Sequence, residues 1–340
     1  MKIRTVSFST QGCRTALRIK EGLQDEEVDC WSKTVADSLG IPKIQGPTSK
    51  WTGQMFPDSD AIIFIGAIGI AVRYIAPYIK SKDTDPAIIC LDELGRYCVP
   101  LLSGHIGGAN RLALRIAEIL GSEPVITTAT DINGKFSVDV FATDNRLRII
   151  RLVDAKEASS RILHNGFIGF SCDVEYDGKL PEGLTPADSG EFGICISKDG
   201  KAPFDRTLKL VPMDITIGIG CRRDTPSDKL KAFVEETLKE YDIDPIRIFG
   251  VASIDLKKDE KAIHDIARTL KTQPVFYTAE ELLEVEGEFS SSDFVKSVTA
   301  VDCVCERSAV RLGGGELIMR KKAKDGMTLA LCRNYVKPRF

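Results

Sequence analysis

The sequence predicts an α/β protein in which two outer open-sheet α/β domains, residues 1–145 and 214–340, flank a smaller middle α/β domain, residues 146–213. Three observations lead there. Apolar runs of strand length recur in both outer thirds and pass through glycine into segments with helical spacing, the pattern of strand–turn–helix units. The stretch between them loses that rhythm and carries the turn-rich DGKLPEGLTPADSGEFG. A chain of 340 residues also suits two to three cores better than one.

In the first domain, IRTVSF (3–8) reads as a strand, after which Ser9 or Thr10 caps a helix through ALRIKEGL to about position 23. The continuous apolar run 61–65 suits a strand buried on both faces, and Gly66 and Gly69 open the turn into a helix that breaks near Pro77. Strands at 87–91 and 97–101, a glycine-rich turn, a helix over ANRLALRIAEIL and a strand at PVITTA complete it. The middle domain offers a helix near 154–163 and short strands. The third opens with the strand DITIGIGCRR and continues with a helix at 227–241, a strand at 246–252, a helix at 260–270 and a strand at PVFYT. A helix near 293–308 and the strands ELIMR and MTLALC close it. No internal repeat or low-complexity tract stands out.

Composition narrows the function. Lys and Arg number 46 against 49 Asp and Glu, a net charge of −3, which argues against a large nucleic-acid footprint while leaving local clusters for small anions. The ten cysteines are scattered; Cys303 and Cys305 are the close pair, and their spacing is not that of a zinc or redox motif. No run approaches the roughly 20 apolar residues of a membrane span, and MKIRTVSFSTQG lacks a signal-peptide core, so a cytoplasmic protein without a membrane partner is expected.

The densest polar cluster in an apolar setting is LLSGHIGGANRLA (101–113). Glycines around His105 let backbone approach a ligand, and Asn110 lies in the first turn of the next helix, whose amides favour an anion. A serine hydrolase centred on Ser103 would want GxSxG with a distant histidine, which the SGH triplet does not supply. The alternative is a tight turn with a structurally bonded histidine. Following the PVI strand, Thr127, Thr128, Thr130 and Asp131 would point into the crevice where open α/β sheets bind ligands, or Asp131 would simply cap a turn. In KSKDTDPA, Lys82 and Asp85 stand on a loop that is otherwise a solvated face. GIGCRRDTP begins like a dinucleotide fingerprint but has Arg223 where glycine is needed. Gly220 beside Arg222 and Arg223 fits a carboxylate clamp, since a guanidinium forms two parallel bonds to a carboxylate, or else a plain surface pair. Ser253, Asp255 and Lys257 follow the next strand at the expected crevice lip.

Taken together, GAIGIAVRYIAPYIKSKDTDPAI, LDELGRYCVPLLSGHIGGANRLA and PVITTATDINGKFSVD resemble the cobalt-precorrin-5A hydrolase (CbiG) family of anaerobic cobalamin biosynthesis; the likeness continues at GIGCRRDTP, SIDLKKDE and RLGGGELI. The resemblance implies hydrolysis of the δ-lactone of cobalt-precorrin-5A and release of acetaldehyde to give cobalt-precorrin-5B. It implies that the cobalt arrives with the substrate, with no separate cofactor or enzyme metal. Catalytic roles are expected of His105, Asp131 and Asn110: either His105 or Asp131 activates water, and Asn110 or the amides of the Gly104–Gly108 loop hold the oxyanion. Substrate contacts are expected from Gly66, Gly69, Arg73, Lys82 and Asp85, from Ser103, Gly104, Gly107 and Gly108, and from Thr127, Thr128 and Thr130. In the third domain they are expected from Gly220, Arg222, Arg223, Ser253, Asp255 and Lys257. A flat macrocycle bearing many carboxylates suits such donors spread over two domains. Partners beyond the substrate are expected to be at most transient contacts with other corrin-pathway enzymes. A noncatalytic tetrapyrrole carrier or scaffold of the same pathway would share the arginines but need no base.

Overall fold

The computed structural model describes every residue except 82–83, 106 and 292–298. Lys82 therefore lies outside the described residues. Three sheets follow one another along the chain, and the packing divides it into two compact units, Met1–Val140 and Phe141–Phe340.

The first unit is built on strands β1 (Lys2–Ser7), β2 (Glu27–Ser32), β3 (Ala61–Ile65), β4 (Ala87–Leu91), β5 (Tyr97–Leu102) and β6 (Glu123–Pro124), in the order β2-β1-β3-β4-β5-β6. Strands β1 to β4 are parallel. In β3 and β4 every residue is buried because the two faces serve two cores. Ile63, Ile65, Ile89 and Leu91 pack on one side under the helices Thr10–Gly22 and Ala109–Leu120; Ile62, Phe64, Ile88 and Cys90 pack on the other with Trp51 and Ile75. Ser9 caps the first helix as expected, its Oγ accepting from Gly12 N at 3.0 Å. The helix Ala109–Leu120 also falls where predicted, between Gly108 and Gly121, both left-handed.

Two features shape the far edge of this sheet. β5 runs antiparallel to β4, with Ile88 opposite Leu102 and Leu91 opposite Cys98. The strand expected over PVITTA stops at Pro124 and is followed by a short helix, Ala129–Ile132. Thr128 stands at the N-cap position of that helix without a side-chain capping bond, its hydroxyl accepting instead from Asn110 Nδ2 at 3.0 Å.

The second unit contains the sheet β7-β11-β10-β8-β9, formed by β7 (Leu147–Ile149), β8 (Ile168–Cys172), β9 (Leu184–Pro186), β10 (Phe192–Ile196) and β11 (Arg206–Pro212). The last sheet is β14-β13-β12-β16-β15, from β12 (Ile215–Cys221), β13 (Ile248–Ile254), β14 (Pro274–Tyr277), β15 (Glu316–Lys324) and β16 (Met327–Arg333). One residue ties the two sheets together. Asp214, between β11 and β12, is fully buried and receives a bidentate pair from Arg247, at 2.9 and 2.8 Å, with Lys198 3.2 Å away. Arg148 of β7 adds donations to the carbonyls of Ile248 and Leu270.

Ile215, Ile217 and Ile219 of β12 face the helices Ser227–Glu240 and Lys261–Thr269. The opposite face of the sheet is covered by the helix Val304–Gly313; of the helix predicted near 293–308, residues 293–298 lie outside the described residues. This helix explains the GIG run. A Cβ at Gly218 would collide with the Cys305 carbonyl, so glycine is needed there for close packing of helix on strand.

Candidate functional site

In the first unit, a cluster forms where β5 ends. Ser103 adopts φ 57° and turns the chain; its hydroxyl donates to the Asp85 carbonyl at 2.9 Å, and the residue is buried. Asn110 N and Ala109 N close the loop onto the carbonyls of Gly104 and Ser103. A Cβ at Gly107 would press into Ser103, 2.9 Å from its carbonyl oxygen, and one at Gly104 would lie 2.8 Å from Asn110 Oδ1. Gly108 takes φ 78° at the helix N-cap. These glycines are therefore required by the tightness of the loop itself.

The loop presents His105 to the short helix Ala129–Ile132. His105 Nε2 lies 3.2 Å from Asp131 Oδ2, and Asn110 Nδ2 donates to that same oxygen at 2.7 Å and to Thr128 Oγ1 at 3.0 Å. On the other side of the ring, His105 Nδ1 lies 3.5 Å from Ser137 Oγ. The imidazole is mostly shielded, 16% exposed, whereas the Asp131 side chain is 36% exposed, so the cluster faces solvent through its carboxylate. The other two histidines are spent on backbone: His164 Nδ1 is 2.8 Å from Ser160 O and His264 Nε2 is 2.6 Å from Lys258 O. A hydrogen-bonded acid–imidazole pair at a loop rim can take a proton from an attacking oxygen and return it to a leaving one.

Sequence reasoning thus placed His105, Asn110, Thr128 and Asp131 together, and the structure brings them together. Thr127 is exposed beside them, and Thr130 lies in the same short helix as Asp131. Others are corrected. Asp85 is buried, and its carboxylate accepts from Lys80 N at 2.8 Å and Ser81 N at 3.0 Å, so it shapes the loop ahead of β4 and is not open to a ligand. Ser103 is likewise spent on structure. Gly66 and Gly69 follow the carboxyl end of β3, and Gly66 N donates to Leu91 O at the end of β4. Because β5 is antiparallel, the His105 loop emerges at the opposite end of the sheet from these two glycines. Arg73 is exposed in the last turn of the helix Ile68–Ile75. Ser137, beside His105 Nδ1, was missed; nothing local in FSVD marks it.

The second unit carries a cavity of about 560 Å³, whose lining includes Arg223, Thr225, Ser227, Lys257 and Lys261. Glu260 organises its floor. It is nearly buried and accepts from Thr225 N at 3.1 Å and Asp224 N at 3.3 Å, with Lys257 Nζ at 3.8 Å. Of the predicted residues, Arg223 and Lys257 line this cavity. Arg222 packs along Gly326 instead, and Gly220 is confined by Thr328. Asp255 starts the turn leading to Lys257. Ser253 is corrected: it is fully buried and donates to Ile219 O at 2.7 Å, joining β13 to β12. Cys303 and Cys305 bring their thiols to 3.7 Å, buried beneath the last sheet. Among the described residues, no group of three or more His, Cys, Asp or Glu is disposed to hold a metal, and no helix is long and apolar enough to cross a membrane.

Comparison with known proteins adds what geometry leaves open. A cobalt-precorrin-5A hydrolase from Salmonella typhimurium is 33% identical over 89% of this chain and 90% of its own length. The chain belongs to the cobalt-precorrin-5A hydrolase family. A second member, from Priestia megaterium, is 28% identical over 94% of this chain and 91% of its own. A solved structure of a putative cobalamin biosynthesis protein G homolog from Sulfolobus solfataricus is 26% identical over 98% of this chain and 97% of its own, with a TM-score of 0.44. The family description "Cobalamin synthesis G N-terminal" matches residues 50–131, and "Cobalamin synthesis G C-terminus" matches 215–332. In this hydrolase the first match contains the His105 loop and ends on Asp131, and the second contains the Arg223 cavity.

Proposed function

We propose that this hydrolase opens the δ-lactone of cobalt-precorrin-5A at the His105 cluster and there releases acetaldehyde to give cobalt-precorrin-5B. The observation that carries the assignment is the convergence of His105 and Asn110 on one oxygen of Asp131. Asp131 orients the imidazole and balances the charge it gains. His105 takes the proton of the oxygen that attacks the lactone carbonyl, and the amide of Gly104 or Gly107 holds the resulting oxyanion, since those of Gly108, Ala109 and Asn110 are spent on loop carbonyls. Ring opening frees a hydroxyl on the two-carbon fragment. Removing its proton lets the carbon–carbon bond break in the retro-aldol sense: the fragment leaves as acetaldehyde and the electron pair passes into the macrocycle. The net change is uptake of one water, and the cobalt travels with the substrate throughout.

Arg223 and Lys257 support a second element of the reading, recognition of peripheral carboxylates by the second unit. Incubating the purified protein with cobalt-precorrin-5A and measuring acetaldehyde tests the whole reading. Stoichiometric release is expected from the wild type, with at least a hundredfold loss in His105→Ala. Tight binding of the macrocycle without acetaldehyde would favour the carrier alternative.

A further inference from the structure

We propose that the oxygen that first attacks the lactone is the hydroxyl of Ser137, so that Ser137, His105 and Asp131 act as a serine–histidine–aspartate relay and the reaction passes through an ester on the enzyme. The proposal rests on the lactone-hydrolase reading above. It follows from how the two ring nitrogens of His105 are used.

An ionised carboxylate only accepts hydrogen bonds, so the nitrogen facing Asp131 Oδ2 at 3.2 Å, Nε2, carries the ring proton. Asn110 holds the same oxygen at 2.7 Å and fixes the carboxylate against the imidazole. The lone pair then resides on Nδ1, and Ser137 places its Oγ against that nitrogen at 3.5 Å. The proton that His105 is placed to accept is therefore that of Ser137; a water would have to displace the hydroxyl to be activated there. The separation is at the long limit for a hydrogen bond, as is common for a nucleophile and its base before substrate binds. Asp131 is the orienting third member, and the relay is recognised by these roles rather than by the order of residues along the chain. The serine nearest in sequence, Ser103, is excluded because its hydroxyl is committed to the Asp85 carbonyl.

The chemistry balances. Ser137 Oγ bonds to the lactone carbonyl carbon while His105 Nδ1 takes its proton. The tetrahedral intermediate collapses by breaking the ring carbon–oxygen bond, and His105 returns the proton to the departing alkoxide. This leaves the substrate carboxyl as an ester on Ser137 and the freed hydroxyl beside the same base. Water then attacks the ester, its proton passing to His105 and on to Ser137 as that oxygen leaves. No external oxidant or reductant is needed, and the hydroxyl whose deprotonation drives loss of acetaldehyde is released next to an imidazole.

The test uses the full chain with cobalt-precorrin-5A, comparing wild type, Ser137→Ala and Ser137→Cys. Samples are quenched in acid within one turnover for intact-protein and peptide mass spectrometry, and parallel reactions contain hydroxylamine. Expected are a macrocycle adduct on the Ser137 peptide in wild type, a hydroxamate product that depends on that serine, and at least a thousandfold slower turnover in Ser137→Ala with unchanged circular dichroism. If the alanine variant does not fold, Ser137→Cys keeps the test alive, because it retains a nucleophile of similar size and is expected to carry a thioester adduct. Turnover of folded Ser137→Ala within tenfold of wild type overturns the proposal. So does an active wild type that yields neither adduct nor hydroxamate. A wild type that neither opens the lactone nor releases acetaldehyde overturns the hydrolase reading and this inference with it, whereas the first two results leave that reading standing.

Discussion

Replacing Asp131 by asparagine isolates the charge of the orienting carboxylate while nearly keeping its shape. When His105 accepts a proton, the imidazolium stands 3.2 Å from Asp131 Oδ2. At that separation two unit charges attract by about 5 kcal/mol at an effective dielectric of 20 and about 1.3 kcal/mol in bulk water. The carboxylate is 36% exposed and the imidazole 16%, so the value should fall between these limits. A mid-range loss of about 3 kcal/mol corresponds to roughly a hundredfold in rate. The carboxylate sets the ring tautomer beforehand and balances the imidazolium once the proton has moved; neither effect needs bound substrate, so the loss should appear in kcat, with KM little changed. Asp131 sits on the rim in a four-residue helix, and the unfolding free energy should change by about 1 kcal/mol at most. The assay couples acetaldehyde to its reduction by an alcohol dehydrogenase and follows the nicotinamide absorbance. A kcat within fivefold of wild type, or a defect confined to KM, would show that the contact between Asp131 and His105 takes no part in the chemistry.

Three further outcomes follow from the same structure. Gly107→Ala should cost about 1–3 kcal/mol of stability in urea unfolding and most of the activity, because its methyl group meets the Ser103 side chain and carbonyl; unchanged stability would mean that the loop relaxes freely. Arg223→Ala should raise KM by an amount equivalent to about 1–3 kcal/mol with kcat near wild type, and Arg223→Lys should restore it only in part, since lysine lacks the planar fork; identical KM values would make Arg223 a surface residue. Burial pushes the Glu306 carboxyl up, but donations from Lys321 N at 2.6 Å and from Ser290 N and Oγ, both at 2.7 Å, hold it below the ordinary value. Its stabilising contribution is therefore complete above the unfolded carboxylate value of about 4.3 and is lost as the pH falls through the lower folded value. Glu306→Gln should cost about 1.5–3 kcal/mol at pH 7 and blunt that acid-dependent loss, as read from urea unfolding across the pH range.

Much of the fold is legible because local physics decides it. The helix Ala109–Leu120 buries Ala109, Leu112, Ala113, Ile116 and Ala117 on one stripe between two left-handed glycines, a pattern visible without coordinates. The apolar runs of β3 and β4 announce strands covered on both faces. Direction is another matter. No residue of β5 reports whether it pairs parallel or antiparallel with β4, since that depends on how the intervening turn at Asp92–Gly95 folds back. Asp92 accepts from the amides of Leu94, Arg96 and Tyr97, closing a hairpin. That single reversal separates the Gly66–Gly69 turn from the His105 loop, although both glycine-bearing segments look alike as strand endings in the sequence.

The same distinction between neighbourhood along the chain and neighbourhood in space governs the site. His105, Asn110 and Asp131 could be grouped from sequence because their two polar loops follow closely along the chain and together carry the family resemblance; in the structure β5 and β6 are parallel neighbours, so the two loops leave the sheet at the same end. The partner serine could not. Ser103 stands two residues from His105, but the loop that presents the imidazole needs Ser103 as its anchor: it takes the left-handed backbone and donates to Asp85. A residue so occupied cannot also serve as the nucleophile. The role passes to a hydroxyl that the loop does not consume, and the chain supplies it 32 residues later, after the Asp131 helix has turned back past the ring. Each member of the cluster is thus assigned by the contact it makes: Asp131 accepts from Asn110 and faces His105 Nε2, and Ser137 Oγ lies against His105 Nδ1.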